Sequence, residues 1–404
     1  MLIDKTIALM LDPYKYISKT SKELNADVFD TRLFFQKTIC MTGGEAAQLF
    51  YDNELIMRKG SAPGMLLATL LGKGGVQGLD DKEHVHRKAM FMSIMTDENV
   101  KRLGDIVSST WTEAIQRKWS RENQIVFYPE IQEILTEAVC LWAGVPLKKE
   151  ELKKRTKELT ALFDSAGAKS WRHLKARFSR KKADNWIEDL VLMTRKHGVK
   201  ENSPLHTVVW HRDLNGELLS AHTAAVEILN LLRPTVAVSV YMLFVAHALH
   251  LHPECRRKLE DGVERYDDMF IQEVKRLYPF FPAMFARAKT DFTWKNMEFK
   301  KDVRVMLDIY GTNHDPRLWS NPEEFNPERY QTTQTTPFNF IPQGGGSHTY
   351  HHRCPGEFIA NELMRVTIQM LVFKLKYTVP EQDLEIDFQR TPPVPKDKLI
   401  LTMV

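Results

Sequence analysis

Cysteine is scarce in this chain. There are four in 404 residues, Cys40, Cys140, Cys255 and Cys354, and none forms a C-x-x-C pair. That excludes a disulfide-built scaffold and the paired knuckles of a structural zinc module. Long apolar runs are also missing. The longest, around Val236 to Leu249, is broken by His247 and preceded by Arg233, so it is not expected to reach the roughly 20 residues of a bilayer span. The opening MLIDKTIALMLDPYKYI carries Asp4 and Lys5 and is interrupted by Asp12 and Pro13, which speaks against a secretion signal or membrane anchor. A cytoplasmic location is expected. Charge of one sign is in short supply: the net charge of +4 does not call for a nucleic-acid partner. The basic stretch Arg172 to Lys182 reads as a solvated helix face. Gly72–Gly75 and Gly344–Ser347 lack the full spacing of a phosphate-binding loop. No repeat, low-complexity tract or linker divides the chain, so residues 1–404 are expected to form one domain.

What is present is helical periodicity. Val100, Leu103, Val107, Trp111 and Ile115 follow Asp97, which the pattern makes the cap of a helix. Pro129 and Gly144 bracket a second helix, charged helices follow from Lys148 and from Trp171 to His197, and Ser220 to Leu251 reads as one long buried helix. Strand signals are few: Leu33–Cys40, Phe292–Phe299, Arg304–Tyr310 and two short C-terminal runs. Asn313–Thr336 is turn-rich, Gln343–His352 is rich in Gly and His, and Glu357–Tyr377 is again helical. The expected architecture is mainly α with small peripheral sheets.

Cys354 differs from its three siblings, which sit in or beside apolar segments. It stands in RCPGE, after glycines 344 to 346 and before a helix whose N-terminal dipole would face the sulfur. Gly345 and its neighbours would let backbone pass close to a flat cofactor, and Gly356 follows the cysteine by two. A cysteine ligand on haem iron favours O–O cleavage. Two other readings stay open on this segment alone: an idle loop cysteine, and zinc held by His348, His351, His352 and Cys354.

Two distant motifs complete a pattern. Glu273 and Arg276 stand three apart in QEVKRLYP, and Arg329 lies in PERY. In this order, ahead of a glycine-rich loop and a cysteine followed by Pro-Gly, the set resembles the cytochrome P-450 superfamily along essentially the whole chain. The resemblance implies that fold, with a long central helix over haem b, Cys354 as axial iron ligand, and Glu273, Arg276 and Arg329 as a buried ion network. Ser347 stands where the superfamily has a phenylalanine, and the loop is longer. These departures, with YGTNHDPRLW, IPQGGG and LLRP, resemble the bacterial fatty-acid peroxygenases and decarboxylases.

The middle of the long helix reads Asn230-Leu231-Leu232-Arg233-Pro234-Thr235, without the acid–alcohol pair of oxygen-activating relatives. Pro234 removes a helical hydrogen bond, and Arg233 puts a charge into an apolar run. A protein partner such as Glu227 or Asp213 would explain it. The family resemblance implies instead that Arg233 holds a fatty-acid carboxylate, which then serves as general acid–base for hydrogen peroxide. A redox partner protein is then unnecessary. The resemblance also places Gln77 over the haem near the substrate head, and His84 and Lys88 toward a propionate. Leu70, Leu71, Val76, Phe281 and Phe285 are candidates for the acyl channel. The expected reaction is hydroxylation at the α or β carbon. Decarboxylation to a terminal alkene, a reductase-fed monooxygenase and a non-catalytic haem protein are the alternatives.

Overall fold

The computed structural model describes residues 3–164, 171–198 and 201–404. Helices dominate it. The Asp97–Arg117 helix is capped by Thr96, whose hydroxyl accepts the Asn99 N–H at 3.3 Å, so Asp97 is its first residue rather than its cap. The Phe127–Ala143 helix ends on Gly144 at φ +79°, a left-handed stop that glycine adopts without strain. The Leu152–Asp164 and Trp171–His197 helices pack against each other and against the centre. From residue 173 the basic stretch is largely exposed, but Arg180 turns inward and pairs with Asp184 at 2.8 Å.

The central helix is two helices in line, Ala221–Ala237 and Ser239–Leu251, with the junction at Val238. Ser220 caps the first by accepting the Thr223 N–H at 3.0 Å. Pro234 leaves the Asn230 carbonyl without its usual donor, and the regular ladder ends three residues later. The expectation that this region is too short to cross a bilayer is corrected: Ala221–Leu251 is long and apolar enough, and 89% of its most apolar window is buried inside the protein. The Phe127–Ala143 and Glu357–Ile368 helices supply much of that cover.

A five-stranded sheet runs in the order Val28–Leu33, Gln36–Met41, Arg304–Asp308, Ala283–Ala288, Ile56–Met57. Only the second and third strands pair in parallel. The single strand expected over Leu33–Cys40 is instead a hairpin that turns at Phe34 and Phe35, both at positive φ. The Arg304–Tyr310 run stops as a strand at Asp308 and continues into a short helix, Ile309–Asn313. Phe292–Trp294 and Met297–Phe299 pair as a hairpin, and Gln124–Val126, Ile400–Met403 and Tyr377–Thr378 make a small third sheet.

Candidate active site

The helix starting at Glu357 fixes the loop before it. Glu357 pairs with buried Lys275 at 3.0 Å and accepts from Arg353 Nε at 2.8 Å and His348 Nε2 at 3.0 Å. Burial works to raise the Glu357 carboxyl, but Lys275, His348 and Arg353 together hold it well below the ordinary carboxylate range. The Cys354 N–H donates to the Gln343 carbonyl at 3.0 Å, which folds the loop back under the cysteine. Gly344 and Gly346 take φ of +93° and +77°, where side chains are strained. At Gly345 an added Cβ would stand 2.7 Å from the Pro337 carbonyl oxygen and 2.9 Å from the Tyr51 ring. Gly345 is therefore a glycine because protein crowds it. Gly344 and Gly356, not Gly345, face the cavity beside Cys354.

That cavity holds about 1470 Å³ of empty space at and behind its mouth. Cys354, half-exposed, is exposed to this space. Burial raises its thiol above the ordinary value, while the Gly356 N–H, Lys88 and Arg233 pull the other way. The helix terminus alone does not deliver a thiolate here; a bound cation would, since a coordinating thiol is deprotonated outright. Cys40, Cys140 and Cys255 are all buried away from the cavity. Zinc is not supported. His348 pairs with Glu357, His351 Nδ1 accepts the Ser347 N–H at 2.8 Å, and His352 stacks on His84 at 3.8 Å. Among the described residues no group of three or more His, Cys, Asp and Glu is placed to hold a metal.

At one edge of the cavity positive charge goes unanswered. Lys88 is 2% exposed and its ammonium donates only to the His351 carbonyl, at 3.0 Å, and to the Arg353 carbonyl. Burial and Arg353 push it down to about 8, with Cys354 opposing. Arg58, also buried, does not line this cavity; it donates to the Phe285 carbonyl at 3.1 Å and lies over the Phe50 ring. Among the described residues neither has a carboxylate partner within ion-pair distance. A buried ammonium without an anion is costly, and a haem propionate would supply the missing charge beside Lys88. His84, in the same wall, is pushed down to about 4 by burial and by Lys88 and is neutral. These residues fit haem, with Cys354 as its iron ligand.

The opposite wall is the Ala221–Ala237 helix. Arg233 is 6% exposed. Its guanidinium donates to the Leu70 carbonyl and, at 3.1 Å, to Asn230 Oδ1, while its Nε has no partner. Burial lowers it to about 9, with repulsion from Arg180 adding and Cys354 opposing. The two acids named as partners are engaged elsewhere: Glu227 pairs with Arg87 at 2.9 Å, and Asp213 closes its own surface turn. Asn230 is the hub. Its amide nitrogen donates to Gln77 Oε1 at 3.2 Å and to Glu227 Oε2 at 2.8 Å, while its oxygen receives Arg233. The Thr235 hydroxyl is spent on the Leu231 carbonyl at 2.8 Å. No acid–alcohol pair faces the cavity from this turn.

Gln77, His84, Lys88, Arg233, Pro234, Leu70, Leu71, Val76 and Phe281 all line the cavity. Phe285 does not. It points through the sheet to the cluster of Leu9, Phe29, Leu33 and Met306, and Phe280 and Met284 take the cavity side. Strand alternation explains the exchange. Phe163 and Tyr241, also in the wall, gave no sequence signal, whereas Asn230 did: it lies three residues before Arg233, on the same helix face. Beneath the cysteine loop, Arg276 donates to both oxygens of Glu273 at 2.8 and 2.9 Å, and Arg329 Nε reaches Glu273 at 3.1 Å, all fully shielded.

A cysteine that opens onto a large cavity, a buried ammonium without an anion and a helical wall opposite fit a haem-thiolate protein. The family model for cytochrome P-450 matches residues 265–402. Among solved structures, cytochrome P450SP alpha (CYP152B1) in complex with (R)-ibuprofen is 46% identical, with 99% of this chain and 98% of that one covered and a TM-score of 0.96. Cytochrome P450EX alpha (CYP152N1) with myristic acid is 43% identical, covering 100% and 97%, TM-score 0.96. The ligand-free cytochrome P-450 OleT is 32% identical, covering 100% and 97%, TM-score 0.95. The chain belongs to the cytochrome P-450 superfamily and, within it, to the bacterial fatty-acid peroxygenase family.

Proposed function

We propose that this protein oxidises long-chain fatty acids with hydrogen peroxide, hydroxylating the α or β carbon, as one haem-thiolate catalytic unit that needs no redox partner protein. The observation that carries the reading is Arg233: a buried guanidinium on a cavity ending at Cys354, with no carboxylate of the described residues to answer it. A substrate carboxylate is the missing anion, and a guanidinium fork holds it in one orientation. Two relatives were solved with carboxylic acids, myristic acid in one and (R)-ibuprofen in the other.

Cys354 would hold haem b, which would supply the iron chemistry that splits peroxide and delivers oxygen to carbon. The chain's own residues do the rest. Lys88 would neutralise a haem propionate. Asn230 holds the Arg233 fork and the Gln77 amide in one network, and Pro234 opens the helix where the carboxylate enters. The bound carboxylate takes a proton from peroxide and returns it to the departing oxygen, so the substrate provides its own acid–base group. Leu70, Leu71, Val76 and Phe281 enclose the chain behind it. The sum is R–H plus H₂O₂ giving R–OH plus H₂O. Gln77 donates and accepts hydrogen bonds but does not titrate, which favours hydroxy acids over the terminal alkene that loss of carbon dioxide would give.

The test uses purified holoprotein, hydrogen peroxide and a long saturated fatty acid, without reductase. Hydroxy acids are expected as the major product by chromatography; a dominant alkene replaces hydroxylation by decarboxylation. Arg233→Ala should keep the red-shifted Soret band of the reduced carbon monoxide complex. It should lose turnover by about thirty- to several-thousand-fold, the equivalent of about 2–5 kcal/mol for an unpaired buried charge contact. Near-native turnover in that variant would rule out the carboxylate-assisted reaction.

A further inference from the structure

Glu227 is fully buried behind the active site. It stands on the Ala221–Ala237 helix, three residues before Asn230, and does not line the cavity. Arg87 donates to one of its oxygens at 2.9 Å, and Asn230 Nδ2 donates to the other at 2.8 Å. Burial raises its carboxyl, and Asn230 and Arg87 oppose that rise. The same Asn230 nitrogen donates to Gln77 Oε1 at 3.2 Å, and Asn230 Oδ1 receives Arg233 at 3.1 Å. Gly75 lets these groups close up: an added Cβ there would stand 2.9 Å from Gln77 Oε1 and 3.0 Å from Asn230 Nδ2.

We propose that Glu227 is a positioning residue that sets the polarity of this amide network, so that Gln77 and Arg233 both turn donors toward the substrate carboxylate. The inference rests on the fatty-acid reading of the cavity. An amide side chain offers an acceptor at one end and two donors at the other, and its partners decide which end faces where. An ionised carboxylate only accepts, so Glu227 takes the NH₂ end of Asn230. A guanidinium only donates, so Arg233 takes the oxygen. The second hydrogen of Asn230 then goes to Gln77, whose oxygen must turn to meet it. That leaves the Gln77 NH₂ to donate into the cavity, which Gln77 lines. Turned over, Gln77 would set its carbonyl against the substrate carboxylate, acceptor against acceptor. A carboxylate bound to Arg233 competes with Asn230 for the guanidinium, and Glu227 is then the constraint that remains.

The sign of one substitution separates this role from a simple effect of charge. By charge alone, removing an anion near the site in Glu227→Gln should tighten myristate binding. By polarity it should weaken it: Arg87 draws the new amide oxygen, the new NH₂ faces Asn230, and the network turns over. Binding to holoprotein at about pH 8, above the usual imidazole range, is followed by the Soret shift for myristate and for 1-dodecylimidazole, whose neutral head needs neither donor. Glu227→Gln should raise the Kd of myristate about tenfold, equivalent to about 1.4 kcal/mol, and leave that of dodecylimidazole unchanged. Adding Arg87→Met to Glu227→Gln should recover myristate binding, because the amide oxygen then turns back to Asn230. Gln77→Leu keeps the buried pair and should weaken myristate by a similar factor, which decides the matter if Glu227→Gln yields no holoprotein. Unchanged or tighter myristate binding in Glu227→Gln, equal weakening of both ligands, no recovery in the double variant, or native myristate affinity in Gln77→Leu overturns the proposal. Native holoprotein that binds no myristate would refute the fatty-acid reading itself and this inference with it.

Discussion

Asp308 is 1% exposed at the end of its strand. It accepts the Gly311 N–H at 2.7 Å and the Thr42 hydroxyl at 3.5 Å, and Gly311 is a glycine because a Cβ there would stand 2.1 Å from the Asp308 carboxylate. Burial pushes its carboxyl up to about 7, against the hydrogen bonds from Gly311 and Thr42. The folded chain then binds a proton that the unfolded chain, with an ordinary carboxylate value near 3.9, has already released. Stability from this group is full below about pH 4 and declines as pH rises to about 7, by about 1.4 kcal/mol per pH unit within that window. Asp308→Asn keeps an acceptor without the charge. Its melting temperature relative to the native protein should therefore climb between pH 5 and pH 7.5; a constant difference would show that Asp308 is charged throughout. Arg233 is the opposite case at the same scale. Its guanidinium is buried with two neutral oxygens to receive it, and that much was visible as a lone charge in an apolar run.

Among elements, the Tyr266–Leu277 helix is coupled to the turn-rich segment after it by a single carboxylate. Glu273 receives Arg276 and Arg329, and it also accepts the Asn326 N–H at 2.9 Å. Both arginines also bind several backbone carbonyls, so among the described residues Glu273 is the one side chain that neutralises their charges. Glu273→Gln should lower the stability of the holoprotein in urea by about 3–5 kcal/mol, the cost of leaving a buried pair uncompensated, and should loosen haem retention. A loss under about 1 kcal/mol would mean that the carbonyls suffice. A surface i, i+3 pair would look the same in sequence; its value here comes from the segment that closes over it. The central helix shows the same limit. Pro234 announced a disturbance, but the break falls at Val238, four residues further on.

Over the whole molecule, acid sensitivity is spread across separate elements. His247 bonds the Tyr278 hydroxyl at 2.9 Å and His314 the Tyr310 carbonyl at 2.9 Å, and burial pushes both down to about 4. The unfolded chain takes up these protons below about pH 6.5 and the folded chain does not, so stability falls as pH drops from about 6.5 to about 4. Removing one such group in His247→Gln should flatten the dependence of unfolding free energy on pH in that window by about 1.4 kcal/mol per pH unit. An unchanged slope would mean that His247 is protonated in the folded state.

What the linear chain determined by itself was local and chemical. Helical periodicity, the Cys-Pro-Gly junction, the spacing of Glu273 and Arg276 and the charge at Arg233 are properties of neighbours in sequence, and they carried the fold class and the haem-thiolate family. Tertiary structure alone decided which side of a strand faces the cavity, so that Met284 rather than Phe285 lines it. It also decided that Lys88 is buried at the cavity edge without a carboxylate among the described residues, and that Gln77, Asn230 and Arg233 form one network across 153 positions of chain between Gln77 and Asn230. The reason is physical. A propensity or a cap acts through adjacent backbone, whereas a missing counter-charge or a shared wall exists only once distant segments have excluded water from between them.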